Sequence, residues 1–283
     1  MKLLAFDIGG TAVKYGVFFD NTIKFGEFPI KDQNGDEKLP NKIMEFISQY
    51  DAEIIGFCAP GPFDYQSGTG LMKHKLSSLY HVSLRQLIET KFPRVKLFFV
   101  HDATAFILGA IFKDPSLSTD NLSGVMLGTG LGYVHVVNGR VEVNQSKVPH
   151  TSLWNLPFKD GIAENYVSAT AIIQKAKVKG YFFNGVKEIA TEARRGDRKL
   201  LDIFSETGEQ LGELVEIMKT KDGFNNLIIG GQVSRSWDLL KQGFEKKCSV
   251  PYKLVADPAK CAVWGIRYCS EIEINDIYKE ILL

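Results

Sequence analysis

The chain has 283 residues, 45% hydrophobic and 24% charged, and its 34 Lys and Arg against 33 Asp and Glu give a formal net charge of +1. That length suits one large domain or two medium ones with a substantial core, and the composition excludes a disordered chain, a collagen and a coiled coil. The near-zero charge leaves no strong field for nucleic acid or an anionic membrane, and no run of about 18 apolar residues is available to span one. In chain order, residues 3–8 predict an apolar strand ending in Gly9-Gly10-Thr11, and Asp7 breaks the apolar start before it can serve as a signal peptide, so the expected location is cytoplasmic. Residues 13–19 and 22–29 predict two further strands with Asp20-Asn21 as the turn between them. Helical spacing over 39–50 puts Ile43, Phe46, Ile47 and Tyr50 on one face. A strand over 53–58 is closed by Ala59-Pro60-Gly61-Pro62, a helix follows over 84–92, and an apolar strand over 95–100 ends at His101-Asp102 before a helix from Ala103.

The second half repeats this opening. A strand over 124–127 ends in Gly128-Thr129-Gly130, a second runs over 132–137, and Asn138-Gly139 signals a tight turn into a third from Arg140. Helical sequence then extends over 163–219 with breaks near 180–185 and 196–197. A strand over 226–229 ends in Gly230-Gly231, a helix over 237–247 and a strand over 252–255 follow, and Asp257-Pro258 opens the last helices. The four cysteines, Cys58, Cys248, Cys261 and Cys269, form no Cys-x-x-Cys pair and read as buried free thiols.

Four motifs lie at strand ends. In Asp7-Ile8-Gly9-Gly10-Thr11-Ala12-Val13-Lys14, two glycines allow close approach to free N–H groups. Thr11 adds a hydroxyl, and Asp7 could hold Mg²⁺ through water; the plain alternative is an ordinary hairpin. Gly128-Thr129-Gly130-Leu131-Gly132 has the same chemistry. It is not a dinucleotide fingerprint, because Tyr133 stands where the third glycine belongs, and no P-loop sequence occurs. Two such turns facing each other suit a polyphosphate. Gly230-Gly231 leaves room for a base or ribose, or serves only a helix–sheet contact. Asp102 stands where α/β folds place reacting groups, or is an N-cap.

In this order the motifs resemble the actin-like ATPase superfamily, which includes hexokinases, and more narrowly the ROK family of sugar kinases and repressors. The resemblance covers nearly the whole chain. It implies an α/β, two-lobed, ribonuclease-H-like fold with duplicated mixed-sheet domains. One lobe would comprise residues 1–113 and 266–283, the other residues 114–265. Gly9, Gly10, Thr11 and Lys14 match the family's first phosphate motif, Gly128, Thr129 and Gly130 its second, and Gly230 and Gly231, in Ile229-Gly230-Gly231-Gln232-Val233-Ser234, its adenosine motif. Ala59-Pro60-Gly61-Pro62-Phe63-Asp64 matches its Pro-Gly loop, and Asp102-Ala103 the end of its Asn-Asp-Ala, whose Asp is the catalytic base. Glu164 and Ser168 resemble a Glu-x-x-x-Ser helix start whose Glu binds sugar, and Asp257-Pro258-Ala259 and Gly265 the last turn and closing helix. The resemblance implies ATP and Mg²⁺ as cofactors, with Asp7 as the metal-orienting carboxylate. It places Gly61, His101, Asp102, His150 and Glu164 around a sugar, and implies a homodimer.

The departures from the family pattern are specific. His101 replaces the sugar-bonding Asn, and Lys147-Val148-Pro149-His150 aligns with Glu-x-Gly-His, so Lys147 replaces a sugar-binding Glu. His150 is then a surviving sugar ligand or a surface residue. The family's zinc motif, Cys-x-Cys-Gly-x-x-Gly-Cys, is missing, so no structural zinc is expected. Tyr133 narrows the cleft or packs beneath it. The implied reaction is γ-phosphoryl transfer from ATP to a hydroxyl, expected to be the 6-hydroxyl, of a hexose or derivative (glucose, an N-acetylhexosamine or a β-glucoside), with Asp102 as base. The alternatives are a non-catalytic sugar or nucleotide sensor of this fold, favoured by the lost Asn and Glu, and a kinase of a non-sugar acceptor. The family's repressors carry a DNA-binding module ahead of the first phosphate strand; with that strand opening this sequence, no such module is expected. The basic stretch Arg194-Arg195-Gly196-Asp197-Arg198-Lys199 is expected to be a solvated helix end. Tyr181-Phe182-Phe183 could serve a core or an interface.

Overall fold

The computed structural model describes residues 1–281 except 20–21, 32–34, 36–37 and 74–75. The turn expected at Asp20-Asn21 lies outside the described residues. The chain forms two compact units: Met1–Leu117 with Arg140–Pro149 and Lys260–Leu283, and Ser118–Gly139 with His150–Ala259.

The first unit is built on strands β1 (Lys2–Ile8), β2 (Ala12–Phe19), β3 (Thr22–Pro29), β4 (Ile54–Ala59) and β5 (Lys96–His101), in the order β3-β2-β1-β4-β5. The first three pair antiparallel, and β4 and β5 add in parallel. Alternation along the strands sorts the residues by face. Leu4, Phe6 and Ile8 join the core with Leu39 and Ile43 of helix α1 (Leu39–Ile47) and Leu84 and Ile88 of helix α2 (Leu84–Lys91). In register on this face, Phe6, Phe57 and Phe99 stack with ring centroids 4.8 and 5.2 Å apart. Asp7, in the intervening position, therefore points to the opposite face. That face is covered by helix α3 (Asp102–Lys113) and the helix Cys261–Cys269. These two helices cross at glycines: a Cβ on Gly109 would overlap the Cys261 carbonyl, and one on Gly265 the Ala105 carbonyl.

The second unit repeats the plan. Strands β6 (Asn121–Leu127), β7 (Leu131–Val137), β8 (Asn226–Gly230) and β9 (Tyr252–Leu254) lie in the order β9-β8-β6-β7. β6 and β7 pair antiparallel, while β8 and β9 add in parallel. Helices α4 (Ala169–Val178), α5 (Val186–Arg194), α6 (Arg198–Asp222) and α7 (Trp237–Lys247) supply Ile172, Ile189, Phe204, Leu211 and Phe244 to its core. Asn138 and Gly139 both have positive φ, 51° and 76°, as a type I′ turn requires.

Several details differ from the sequence expectation. Residues 114–117, 140–149 and 260–265 fall with the first unit. The strand Arg140–Val143 pairs in parallel with Tyr278–Glu280, and the Cys261–Cys269 helix packs on α3. The last helix begins at Cys261, not at Asp257-Pro258. Helix α3 begins at Asp102 with His101 in the N-cap position, one residue earlier than expected. All four cysteines are buried and free. Tyr181 and Phe183 stack and pack on the second core while Phe182 is 80% exposed. Arg194 pairs with Asp238 and Arg195 with Glu192. No described helix is long and apolar enough to cross a membrane.

Candidate active site

In the first unit, the carboxyl ends of β1, β4 and β5 carry four expected residues, Asp7, Gly61, His101 and Asp102. Parallel register sets Asp7 beside Cys58, and antiparallel register sets it opposite Lys14. The Cys58 thiol donates to Asp7 Oδ1 at 3.4 Å, and Lys14 Nζ lies 3.9 Å from Asp7 Oδ2. Burial pushes the Asp7 carboxyl above its ordinary range, and the Asp102 charge pushes the same way; Lys14 and the Cys58 bond counter in part. Burial, with the Asp7 and Asp102 charges behind it, pushes the Cys58 thiol far up, so it stays protonated and able to donate. The Gly9-Gly10-Thr11 turn follows directly, with Gly9 N–H bonded to Ala12 O at 3.1 Å. A Cβ added at Gly10 would meet nothing within 4 Å, so open space lies beside this turn.

Asp102 sits in the first turn of α3, its side chain 30% exposed. Its Oδ1 accepts from Ala103 N–H at 2.7 Å and lies 3.0 Å from His101 Nδ1. Burial alone would raise its carboxyl, but His101 and the Ala103 N–H more than offset this and hold it below the usual carboxylate range. Gly61 follows the end of β4, and a Cβ placed on it would lie 3.8 Å from His101 Nε2. The Tyr65 ring packs 5.8 Å from the His101 ring and anchors by donating to Ala59 O at 3.0 Å. Asp7 and Asp102 are thus neighbouring carboxylates pushed in opposite directions, the pattern of groups with divided roles.

In the second unit, the Gly128-Thr129-Gly130 turn joins β6 to β7, with Gly128 N–H bonded to Gly130 O at 3.0 Å. The start of α4 is fastened to it: Ala169 N–H donates to Gly128 O at 2.8 Å and the Thr170 hydroxyl to Thr129 O at 3.0 Å. Glu164 also reaches this turn. Its Oε2 accepts from Leu131 N–H at 2.9 Å and occupies the space a Gly130 side chain would need. Ser168 caps α4 by accepting from Ala171 N–H at 3.0 Å and donates to Glu164 O at 2.9 Å. Gly231, with φ of +87°, packs directly on the Leu127 backbone just ahead of the same turn. The Gly128-Thr129-Gly130 turn, Gly231 and Glu164 therefore form one cluster.

His150 makes no side-chain hydrogen bond among the described residues. The next residue, Thr151, donates to Asp222 Oδ1 at 3.3 Å. Tyr133 packs beneath: it is buried, its hydroxyl lying 2.8 Å from Ser123 Oγ and donating to Asp222 Oδ2 at 2.7 Å. Lys147 is engaged with Glu280 and over the Tyr278 ring. Sequence reasoning passed over Cys58, Tyr65 and Asp222. For Cys58 the signal was available in the parallel register of β1 and β4; Asp222 carries none, because its partners come from distant segments.

Among the described residues, no three His, Cys, Asp or Glu side chains gather as a metal centre. A Mg²⁺ arriving on a nucleotide needs only one or two protein carboxylates. Asp7 fits that need, since its largely buried carboxyl directly precedes the Gly9-Gly10-Thr11 turn and would be compensated by a cation.

With this geometry in place, the profile of the ROK family matches residues 3–260. The chain belongs to the ROK family. It is 24% identical to the glucokinase of Thermotoga maritima over 271 residues, 85% of this chain and 84% of that one. It is 25% identical to the N-acetyl-D-glucosamine kinase of Vibrio cholerae over 284 residues, 90% and 91% of the two chains. Among solved structures, the ROK hexokinase of Thermus thermophilus superposes with a TM-score of 0.78 at 19% identity, covering 98% of this chain and 100% of that one. A ROK glucokinase of Streptomyces griseus, in complex with glucose and AMPPNP, gives 0.71 at 20% identity, covering 94% and 98%. The fold is that of the actin-like ATPases, and the chain is an ATP-dependent phosphotransferase of the sugar-kinase class.

Proposed function

We propose that this kinase phosphorylates a hexose or hexose derivative at its 6-hydroxyl, with Asp102 as general base. The observation that carries the reading is Asp102 itself: a carboxylate held ionised at the start of α3, between His101 and the Ala103 N–H. A sugar hydroxyl is a weak nucleophile at neutral pH, and a positioned carboxylate takes its proton as the new P–O bond forms. Asp102 has the ionisation and exposure for that step. Phosphoryl transfer otherwise depends on alignment and charge neutralisation. Gly9, Gly10, Thr11 and Lys14 are assigned to phosphate oxygens, as are Gly128, Thr129 and Gly130, and Gly230 and Gly231 are assigned to adenosine. Asp7 would hold Mg²⁺ through water, and that ion supplies neutralising charge to the phosphates. Gly61, His101, His150 and Glu164 are assigned to the sugar. Lys147, paired with Glu280, is not assigned to the sugar.

The test is ADP release with Mg·ATP across free hexoses, N-acetylhexosamines and β-glucosides, with Asp102→Asn as control. A sugar-dependent rate that the control abolishes supports the reading. ATP binding without sugar-dependent turnover would move the chain to the sensor reading. Light scattering would test the homodimer that the family resemblance implies.

A further inference from the structure

The geometry around His101 points to a role beyond a general sugar contact. His101 Nδ1 lies 3.0 Å from Asp102 Oδ1 and 3.1 Å from the Ala103 nitrogen. The two contacts make opposite demands on that ring nitrogen. Ala103 N–H would need a lone pair on Nδ1, whereas the carboxylate would be repelled by one. Ala103 N–H has a shorter, charged alternative in Asp102 Oδ1 at 2.7 Å. The conflict is therefore resolved with the proton on Nδ1, directed at Asp102. Nε2, at the far end of the ring, makes no hydrogen bond among the described residues. It faces the space left by the missing side chain of Gly61. The Tyr65 ring holds the imidazole from one side. The other titratable groups that share this environment are Asp7, Cys58 and Tyr65.

We propose that His101 is a two-ended positioning residue: its Nδ1–H orients the Asp102 carboxylate, and its Nε2 lone pair requires the phosphoryl acceptor to present a hydrogen-bond donor, a hydroxyl or an N–H. The inference rests on the sugar-kinase reading for the acceptor, but the state of the ring can be tested without turnover. The hydrogen bond to one ring nitrogen sets which tautomer the other presents. An amide at this position can rotate to offer either group, so the histidine fixes the polarity of what it meets.

The experiment uses the full chain labelled with ¹⁵N in its 5 histidines, the His101 ring being the signal absent from His101→Asn. A neutral ring protonated at Nδ1 supports the proposal; a ring carrying a proton on Nε2, neutral or charged, overturns it. The kinetic arm compares His101→Ala with His101→Asn, whose amide reaches the Nδ1 position but not Nε2. Loss of a charge-assisted positioning bond should lower kcat in the Ala variant by about 10- to 100-fold. The Asn variant should recover at least about tenfold of that loss. Equal kcat in the two variants, or an undiminished kcat in the Ala variant, overturns the orienting role. Failure of the wild-type chain to phosphorylate any sugar would refute the kinase acceptor instead, and the ring spectrum would still decide the tautomer.

Discussion

Asp7 and Asp102 show how side chains of one type can be pushed to opposite ionisation by their surroundings. Asp102 is held below the usual carboxylate range by His101 and Ala103 N–H, so it remains an available base at pH values where an ordinary aspartate is partly protonated. The carboxyl ¹³C shift of Asp102, followed through an acid titration, should therefore show its ionisation falling below that ordinary range. Asp102→Asn should lower kcat by about 10²–10⁴-fold while nucleotide binding, followed by fluorescence or calorimetry, is retained. Gly10 separates function from folding. A methyl group there meets nothing in the protein, so Gly10→Ala should leave the melting temperature nearly unchanged. The same methyl would stand in the space assigned to phosphate, so kcat/KM for ATP should drop at least about tenfold, the equivalent of one lost hydrogen bond. Asp7, Gly10 and Asp102 were legible because each sits at a strand end, where sequence alone signals chemistry. The ring orientation of His101 and the anchoring of Tyr133 to Asp222 were not, because both depend on atoms brought together only by tertiary packing.

The elements that carry these residues are positioned by a few close approaches. Helix α3 presents Asp102 at its start and is seated against the Cys261–Cys269 helix by glycines on each side. Gly265→Ala would drive a methyl group into the Ala105 carbonyl, a rigid backbone neighbour. Overpacking of this kind costs about 1–3 kcal/mol or more, and thermal denaturation should show a melting point lower by several degrees. Helix α4 depends on Ser168, which caps it and holds the Glu164 carbonyl. Ser168→Ala should cost about 1 kcal/mol in denaturant unfolding and should also raise KM for the sugar if Glu164 is a sugar ligand. Most strands and helices could be read from periodicity and their Gly and Pro boundaries. The helix start after Asp257-Pro258 could not: the chain makes a turn there before Cys261, and tertiary packing on α3 determines where the helix begins.

At the scale of the whole chain, the first unit is assembled from segments far apart in sequence. Its sheet and α3 come from the N-terminal part, but the helix covering that sheet face comes from residues 261–269. The Cys261 thiol donates to Phe106 O across 155 residues, and Trp264 packs against Phe18, Phe25 and Phe112. Glu142 and Lys279 are similarly joined at 2.8 Å beside the parallel strand pair they flank. A closing helix was expected from the family resemblance, since nothing in its own periodicity says where it docks. The recruitment of 140–149 was not expected, because a tight turn at Asn138-Gly139 says nothing about the distant strand that Arg140–Val143 will meet. Second-unit core residues, by contrast, come from its own strands and helices. A chain truncated after Ala259 should therefore lose the first unit selectively: its sheet would expose Gly16, Gly56 and the apolar side chains that Val263 and Ile266 now cover. Limited proteolysis with mass mapping should show early cuts within residues 1–117 and later ones within 150–259. Equal protection of both regions would mean that the closing helix is dispensable to the fold that holds Asp102.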